Sequence, residues 1–376
     1  MSSLRLGIML SAAVALATMS TAQQPELTPQ AIRVAIEDGL ARVPRAFERL
    51  TSPAQAGVRV LDVAIDRSPR HVQRITVDLS QRALTYDPSG SVEILIDQIT
   101  ASLARTVTTE TEFRLLVDGL PLDRLLPAPA PRYRAQDAAS RGPIVISAGH
   151  GAYWNEYANR WVLQRNYYWD IVEDFVNWDI ARYVFEELAG REIDARPARQ
   201  PDQSAAEGRS GLPSWQEGSK YFLRAAGAPA DVTDFGISEY NRDINSRPFY
   251  ANWIGAAAIV SIHNNGGWST GTETWYDETN GWAGESRRLA EIVQSAVVRA
   301  IRERYDQNWI DRGLRSCNGC KGETRLAARP AVILETAFMD MQSPDNAALH
   351  DEGFKRIVAQ AVAQALETWR AQSSTY

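Results

Sequence analysis

Behind residue 142 the apolar positions of the chain follow two alternating rhythms. Short, nearly continuous apolar runs at Ile144–Ala148, Ala257–Ile262, Glu273–Tyr276 and Ala331–Leu334 read as buried strands. Between and after them, Asp174–Leu188, Glu285–Arg304 and Asn346–Arg370 repeat apolar residues at helical spacing. The alternation predicts an α/β fold, a largely parallel sheet with helices on both faces, in which ligands bind beyond the strand ends. Ahead of this region, Arg74–Ser80 alternates like a half-buried strand, Val92–Leu103 has helical spacing, and Phe113–Gly119 reads as a further strand. These predict a small α+β domain preceding the larger one.

Two stretches fit neither rhythm. Leu126-Pro-Ala-Pro-Ala-Pro-Arg132 is stiff and extended by composition, and the polar residues up to Arg141 have no apolar period. Residues 127–141 therefore read as a linker between an accessory domain at 24–126 and a domain at 142–376. At the start, Arg5 precedes an apolar run from Leu6 to Met19 and the small residues Ser20-Thr21-Ala22. Residues 1–22 read as a secretory signal peptide, since the run is shorter than the roughly 20 residues a bilayer requires. No cysteine follows the run and no later segment is apolar enough to span a membrane, so the expectation is an exported protein without stable membrane insertion.

Composition narrows the function classes. A hydrophobic share of 44% is enough for ordinary packed cores. A net charge of −6 supplies no basic footprint for nucleic acid and no general attraction to an anionic surface. The two cysteines, Cys317 and Cys320, suit a small disulfide loop in an oxidising compartment, because a structural zinc site needs further Cys or His ligands that are not nearby. No βαβ context supports a redox role for the pair.

The chemistry concentrates at strand ends. The first strand runs into Gly149-His150-Gly151, and another runs into Ser261-Ile262-His263-Asn264-Asn265. Two of the four histidines thus leave the sheet at equivalent places, while His71 stands in a charged loop. A catalytic zinc takes three protein ligands and leaves one position open. Glu173 opens a predicted helix and shares a face with positions 177, 180, 184 and 188. On that pattern it reads equally as a carboxylate aimed at the sheet and as an exposed one favoured by the helix N-terminus. Glu335 ends the run Ala331–Leu334 and, beside two strand-end histidines, reads as a partly desolvated base.

These blocks carry a resemblance. "IVISAGHG", "EDFVNWDIARYVFEEL", "SRPFYANWIGAAAIVSIHNNGG", "GTETWYD" and "RPAVILETAFMD" occur in the order seen in the amidase_3 family of N-acetylmuramoyl-L-alanine amidases, over residues 143–370. The resemblance implies zinc bound by His150, Glu173 and His263, with Glu335 as the catalytic carboxylate. It also implies peptidoglycan as substrate, cut between N-acetylmuramic acid and L-alanine, and with that substrate a periplasmic or cell-wall-associated location. "ITVDLSQRAL", "SVEILIDQITASLA" and "FRLLVDGLPL" resemble the GerMN domain of sporulation, germination and envelope proteins, which implies an accessory or binding role with no ligand named.

The chain departs from the family in three places. The stretch between His150 and Glu173 is long, crowded with aromatics and contains Glu156, a rival third ligand. Its tryptophans, Trp154, Trp161 and Trp169, read either as a stacking groove or as packing. Pro201–Tyr240 is a second enlargement, and Thr336-Ala337-Phe338 stands where Gly-Phe is usual. Arg242, Arg247 and Asn265 are candidate substrate contacts, with surface ion pairing the alternative for the arginines. A zinc carboxypeptidase and a wall-binding module without catalysis remain as other readings, the second opposed by His150, His263 and Glu335. The accessory domain contains no credible catalytic set and is expected to be dispensable for chemistry.

Overall fold

The computed structural model describes residues 27–47, 58–68, 72–84, 90–126, 142–156, 158–236 and 238–373. The signal segment, the 127–141 linker and His71 lie outside the described residues. One sheet of ten strands organises the molecule. In chain order its main strands are β1 (Val60–Arg67), β2 (Val72–Leu79), β3 (Thr111–Val117), β4 (Ile144–Ala148), β5 (Ala195–Pro197), β6 (Ala258–Asn265), β7 (Thr272–Asp277), β8 (Asp311–Cys317) and β9 (Ala331–Phe338). Their spatial order is β1-β2-β3-β8-β7-β9-β6-β4-β5, and the short strand Leu120–Pro121 pairs with β3. Within this sheet, among the described residues, only β1 with β2, β7 with β9 and the short strand with β3 run antiparallel. The mostly parallel sheet predicted from the apolar runs is present, and each of those runs is a strand.

Both faces are covered, as the continuous apolar runs require. One face of β4, β6, β9 and β8 presents Ile146, Val260, Leu334 and Leu314 to the helices α3 (Glu173–Gly190), α5 (Ala283–Arg304) and α6 (Glu352–Ser373). On the opposite face, Val145, Ile259 and Ala331 pack with Ala251 of α4 (Glu239–Trp253). The same face, further along the sheet, is covered by α2 (Gly90–Leu103) and by α1 (Pro29–Phe47). Phe113, Trp275 and Ile333 share that core with Leu95, Ile96 and Ile99 of α2.

The N-terminal unit is thereby joined to the rest through backbone as well as side chains. β3 pairs in parallel with β8, and the Phe113 and Trp275 rings stack 5.6 Å apart. A disulfide joins Cys317 and Cys320, and the Asn318 side chain between them bonds both backbone groups of Leu115 on β3. Among the described residues, no helix is long and apolar enough to cross a membrane.

Candidate active site

Alternation along a strand decides which side chains can meet. Ile262 and Leu334 face the helical core, so His263 on β6 and Glu335 on β9 point to the other face, and the two residues are partners in parallel register. His150 follows β4 at the same edge with a φ of 63°, in the left-handed region. Strain of this kind in a non-glycine residue persists only where the surroundings enforce it. Gly149 has to lack a side chain, because a Cβ there would come within 2.3 Å of the His263 ring. Glu173, the first residue of α3, is buried, as are Asn177, Ile180, Val184 and Leu188 on the same helix face.

Three of these side chains converge. Glu173 Oε1 lies 3.1 Å from His150 Nε2 and 3.2 Å from His263 Nδ1, and the two ring nitrogens are 3.2 Å apart. The partners on the far side of each ring settle which nitrogens carry hydrogen. Gln164 donates its Nε2 to Asp243 at 2.8 Å, which turns its Oε1 to accept from His150 Nδ1 at 2.9 Å. The Glu323 carboxylate accepts from His263 Nε2 at 3.0 Å. In the neutral rings His150 Nε2 and His263 Nδ1 are therefore lone pairs, and they face a carboxylate oxygen. Three acceptors this close require a shared proton or a cation. A tetrahedral zinc bonded at about 2.0–2.1 Å needs ligand atoms about 3.3–3.4 Å apart, so the observed set fits the ion in donor type and in spacing.

The outer partners close into a circuit. Arg247, fully buried, donates to Asp243 Oδ2 at 2.8 Å and to Glu323 Oε1 at 2.6 Å, linking the groups that orient the two histidines. Glu173 is braced separately, by Asn177 Nδ2 and by the backbone N–H of Asn264, both at 3.1 Å. The aromatic insert supplies Gln164, whose own N–H is held by Asp174 at 2.9 Å.

Electrostatics separate Glu173 from Glu335. Burial opposes ionisation of Glu173, but the adjacent His150, His263 and Arg165 hold its carboxyl well below the ordinary range. Burial, with the Glu173 charge nearby, pushes Glu335 up to about 8 against the pull of His263 and Lys321. Among the described residues, Glu335 Oε2 has no hydrogen-bond partner. A cleft of about 340 Å³ opens over these groups, with Asn265, Tyr168, Tyr240 and Trp268 in its wall.

The chain belongs to the N-acetylmuramoyl-L-alanine amidase family. The model of that family matches residues 144–368, which contain the whole constellation, and residues 13–123 match a family described as sporulation and spore germination. No curated protein matches the chain. Among solved structures it resembles the catalytic domain of CwlV, an N-acetylmuramoyl-L-alanine amidase from Bacillus (Paenibacillus) polymyxa var. colistinus, at 22% identity over 61% of this chain and 97% of that one, with a TM-score of 0.41. It also resembles the CwlD amidase of Clostridioides difficile, solved in complex with the GerS lipoprotein, at 16% identity over 62% of this chain and 100% of that one, TM-score 0.44. The N-acetylmuramyl-L-alanine amidase of Mycobacterium smegmatis gives 16% identity over 62% and 98%, TM-score 0.44.

Within this amidase fold the sequence-derived candidates fall into three groups. His150, Glu173 and His263 form the one group of three His, Cys, Asp or Glu side chains among the described residues that could hold a metal, and Glu335 lines the same cleft. Glu156 is not with them; it lies exposed, accepting from the Glu239 backbone N–H. Asn265 lines the cleft, whereas Arg242 stands outside it on Glu239 and the Gly236 carbonyl. Arg247 does not reach substrate space either: it is spent on Asp243, Glu323, the Ser219 hydroxyl and the His150 carbonyl. The aromatic insert splits, with Trp154 and Trp161 packed together and Trp161 on Tyr221, while Trp169 and Trp268 are in contact and partly exposed at the rim.

Gln164, Arg165, Asp243, Glu323, Lys321 and Asp97 were not singled out from the sequence. Glu323 could have drawn notice as the acidic residue following the Cys-x-x-Cys loop. Lys321 directly follows the same loop, and the others lie in helices or in the aromatic insert; none carries a local pattern.

Proposed function

We propose that this amidase is a zinc enzyme that hydrolyses the amide between N-acetylmuramic acid and the L-alanine of the peptide stem in peptidoglycan. The observation that carries the reading is the convergence of two oriented lone pairs and a carboxylate beside a buried, partner-poor glutamate. His150, Glu173 and His263 would hold the ion. When bound, zinc supplies a Lewis acid that polarises a carbonyl and acidifies water. Glu335 takes the proton of the attacking water at its carboxylate and delivers it to the leaving nitrogen, a role suited to a buried carboxyl with an oxygen left open. Asn265, whose side-chain amide is held by Glu273, lines the same cleft, which supports it as a substrate contact.

By the same reading, residues 1–22 direct export, the 127–141 segment links two units, and the enzyme acts at the cell wall. The test is mass spectrometry of peptidoglycan digested by the purified protein, with metal content measured in parallel. Free peptide stems with intact glycan strands, from a zinc-containing protein, are expected. Release of terminal amino acids from the stems would identify a carboxypeptidase instead, and stoichiometric zinc in His263→Ala would remove the proposed ligand set.

A further inference from the structure

The N-terminal unit does not end where it meets the sheet. Its helix α2 forms part of the wall of the cleft through Asp97, Gln98, Thr100 and Ala101. Asp97 is the charged member of this set, and both of its oxygens are engaged by cleft cations from the amidase unit. Oδ2 accepts from Arg165 Nη2 at 2.9 Å, and Oδ1 accepts from Lys321 Nζ. Lys321 in turn sits over the Trp275 ring, 5.2 Å from its centre.

Arg165 stands directly beside one of the proposed ligands. Its Nε lies 3.4 Å from Glu173 Oε2, the carboxylate oxygen turned away from the histidines. The Tyr240 hydroxyl and the Gln164 carbonyl accept from its Nη1 at 3.0 and 3.2 Å. A positive charge on the second oxygen of a ligand carboxylate draws electron density from the first and repels a cation bound there. Asp97 opposes this by supplying a compensating charge on the far side of the guanidinium.

We propose that Asp97 makes the N-terminal unit a working part of the metal site, acting through Arg165 as a positioning and charge-balancing residue for Glu173. This rests on the reading of His150, Glu173 and His263 as metal ligands. The accessory unit then has a definite role at the centre: docked α2 raises the affinity of the site for its cation. Arg165 and Asp97 have opposite electrostatic effects on a bound dication, and that opposition separates the proposal from a merely structural contact, whose loss weakens binding whichever partner is removed.

The experiment is competition of the full-length protein with a chromophoric chelator for Zn2+, with folding checked by circular dichroism. Outer partners of metal ligands typically contribute about 10–100-fold in affinity. Asp97→Asn should weaken Zn2+ binding by about tenfold, at the low end of that range, while Asp97→Glu, which keeps the charge, stays within about threefold of wild type. Arg165→Met should tighten binding, and Asp97→Asn combined with Arg165→Met should recover most of the loss. Weaker binding in Arg165→Met, or unchanged binding in Asp97→Asn, overturns the proposal. If Asp97→Asn does not fold, the sign of the Arg165→Met effect decides it. His263→Ala in the same assay tests the underlying reading: unchanged affinity there removes the metal site itself, whereas lost affinity with Asp97 and Arg165 variants at wild-type strength removes only this inference.

Discussion

Glu273 on β7 and Glu335 on β9 are directly opposed across an antiparallel pair, both buried, both on the sheet face shared with α2. They could hardly be treated more differently by their surroundings. Burial disfavours the charge on each, but Arg315 and Arg312 hold Glu273 down at about 2, and the Trp275 indole and Asn265 amide fill its other oxygen. Those arginines also bond the carbonyls of Ala104 and Val107, so Glu273 sits at the centre of the seam with the N-terminal unit. Among the described residues no arginine pairs with Glu335, which is pushed up to about 8 and keeps one oxygen without a hydrogen-bond partner at the cleft. The difference teaches that burial alone does not mark a reactive carboxylate. Completed pairing makes Glu273 a joint, and the unpartnered oxygen of Glu335 supports the proton-carrying role proposed for it.

The sharpest way to break the comparison is to remove the ionisable oxygen at both positions. Glu335→Gln should lower amide hydrolysis by about 10²–10⁴-fold with zinc content and melting temperature nearly unchanged. A metal-replete Gln variant of normal rate would take Glu335 out of the mechanism. Glu273→Ala should do the reverse, costing about 3–5 kcal/mol of stability by stranding Arg312 and Arg315, as measured by denaturant unfolding. Protein that remains folded should keep zinc and a turnover close to wild type; if Glu273→Ala binds zinc poorly while fully folded, seam and cleft are not separable in this way.

A smaller effect probes the circuit behind the histidines. Glu323→Leu removes the acceptor of His263 Nε2 and one partner of Arg247, and zinc affinity should fall by about 10–100-fold in a chelator competition. An unchanged affinity would mean that packing around Gly149 suffices to orient the ring.

The smallest prediction concerns pH at the seam. Burial first, and then the neighbouring Glu112, raise Glu278 to about 7. A carboxyl raised on folding binds its proton more tightly in the native state, so its stabilising contribution is complete below about pH 4.5 and is lost as pH rises through about 7. Glu278→Gln should therefore gain stability relative to the parent at pH 8 and show no such gain at pH 4. Equal differences at both values would show that the proton is not held there.

The sequence by itself determined a good deal. Short apolar runs have room for little but buried strands, and the side-chain period of two puts His263 and Glu335 on one face once their strands are adjacent. Glycines flanking His150 signalled a crowded turn, whereas the helix face that Glu173 shares with residues 177, 180, 184 and 188 fitted an exposed carboxylate as well as the buried one the structure shows. What the tertiary structure decided depends on contacts between distant segments. That Glu173 rather than Glu156 meets the histidines turns on the path of the aromatic insert. Arg247 was read as a candidate for substrate, yet its partners Asp243 and Glu323 come from its own helix and from a short helix 76 positions away, and they bury it behind the site. The boundary drawn at the proline-rich segment carries no information about sheet pairing, because backbone hydrogen bonds between β3 and β8 leave no pattern in side-chain identity. For the same reason, the sequence showed no sign that Asp97 would stand at the wall of a cleft built by the other unit.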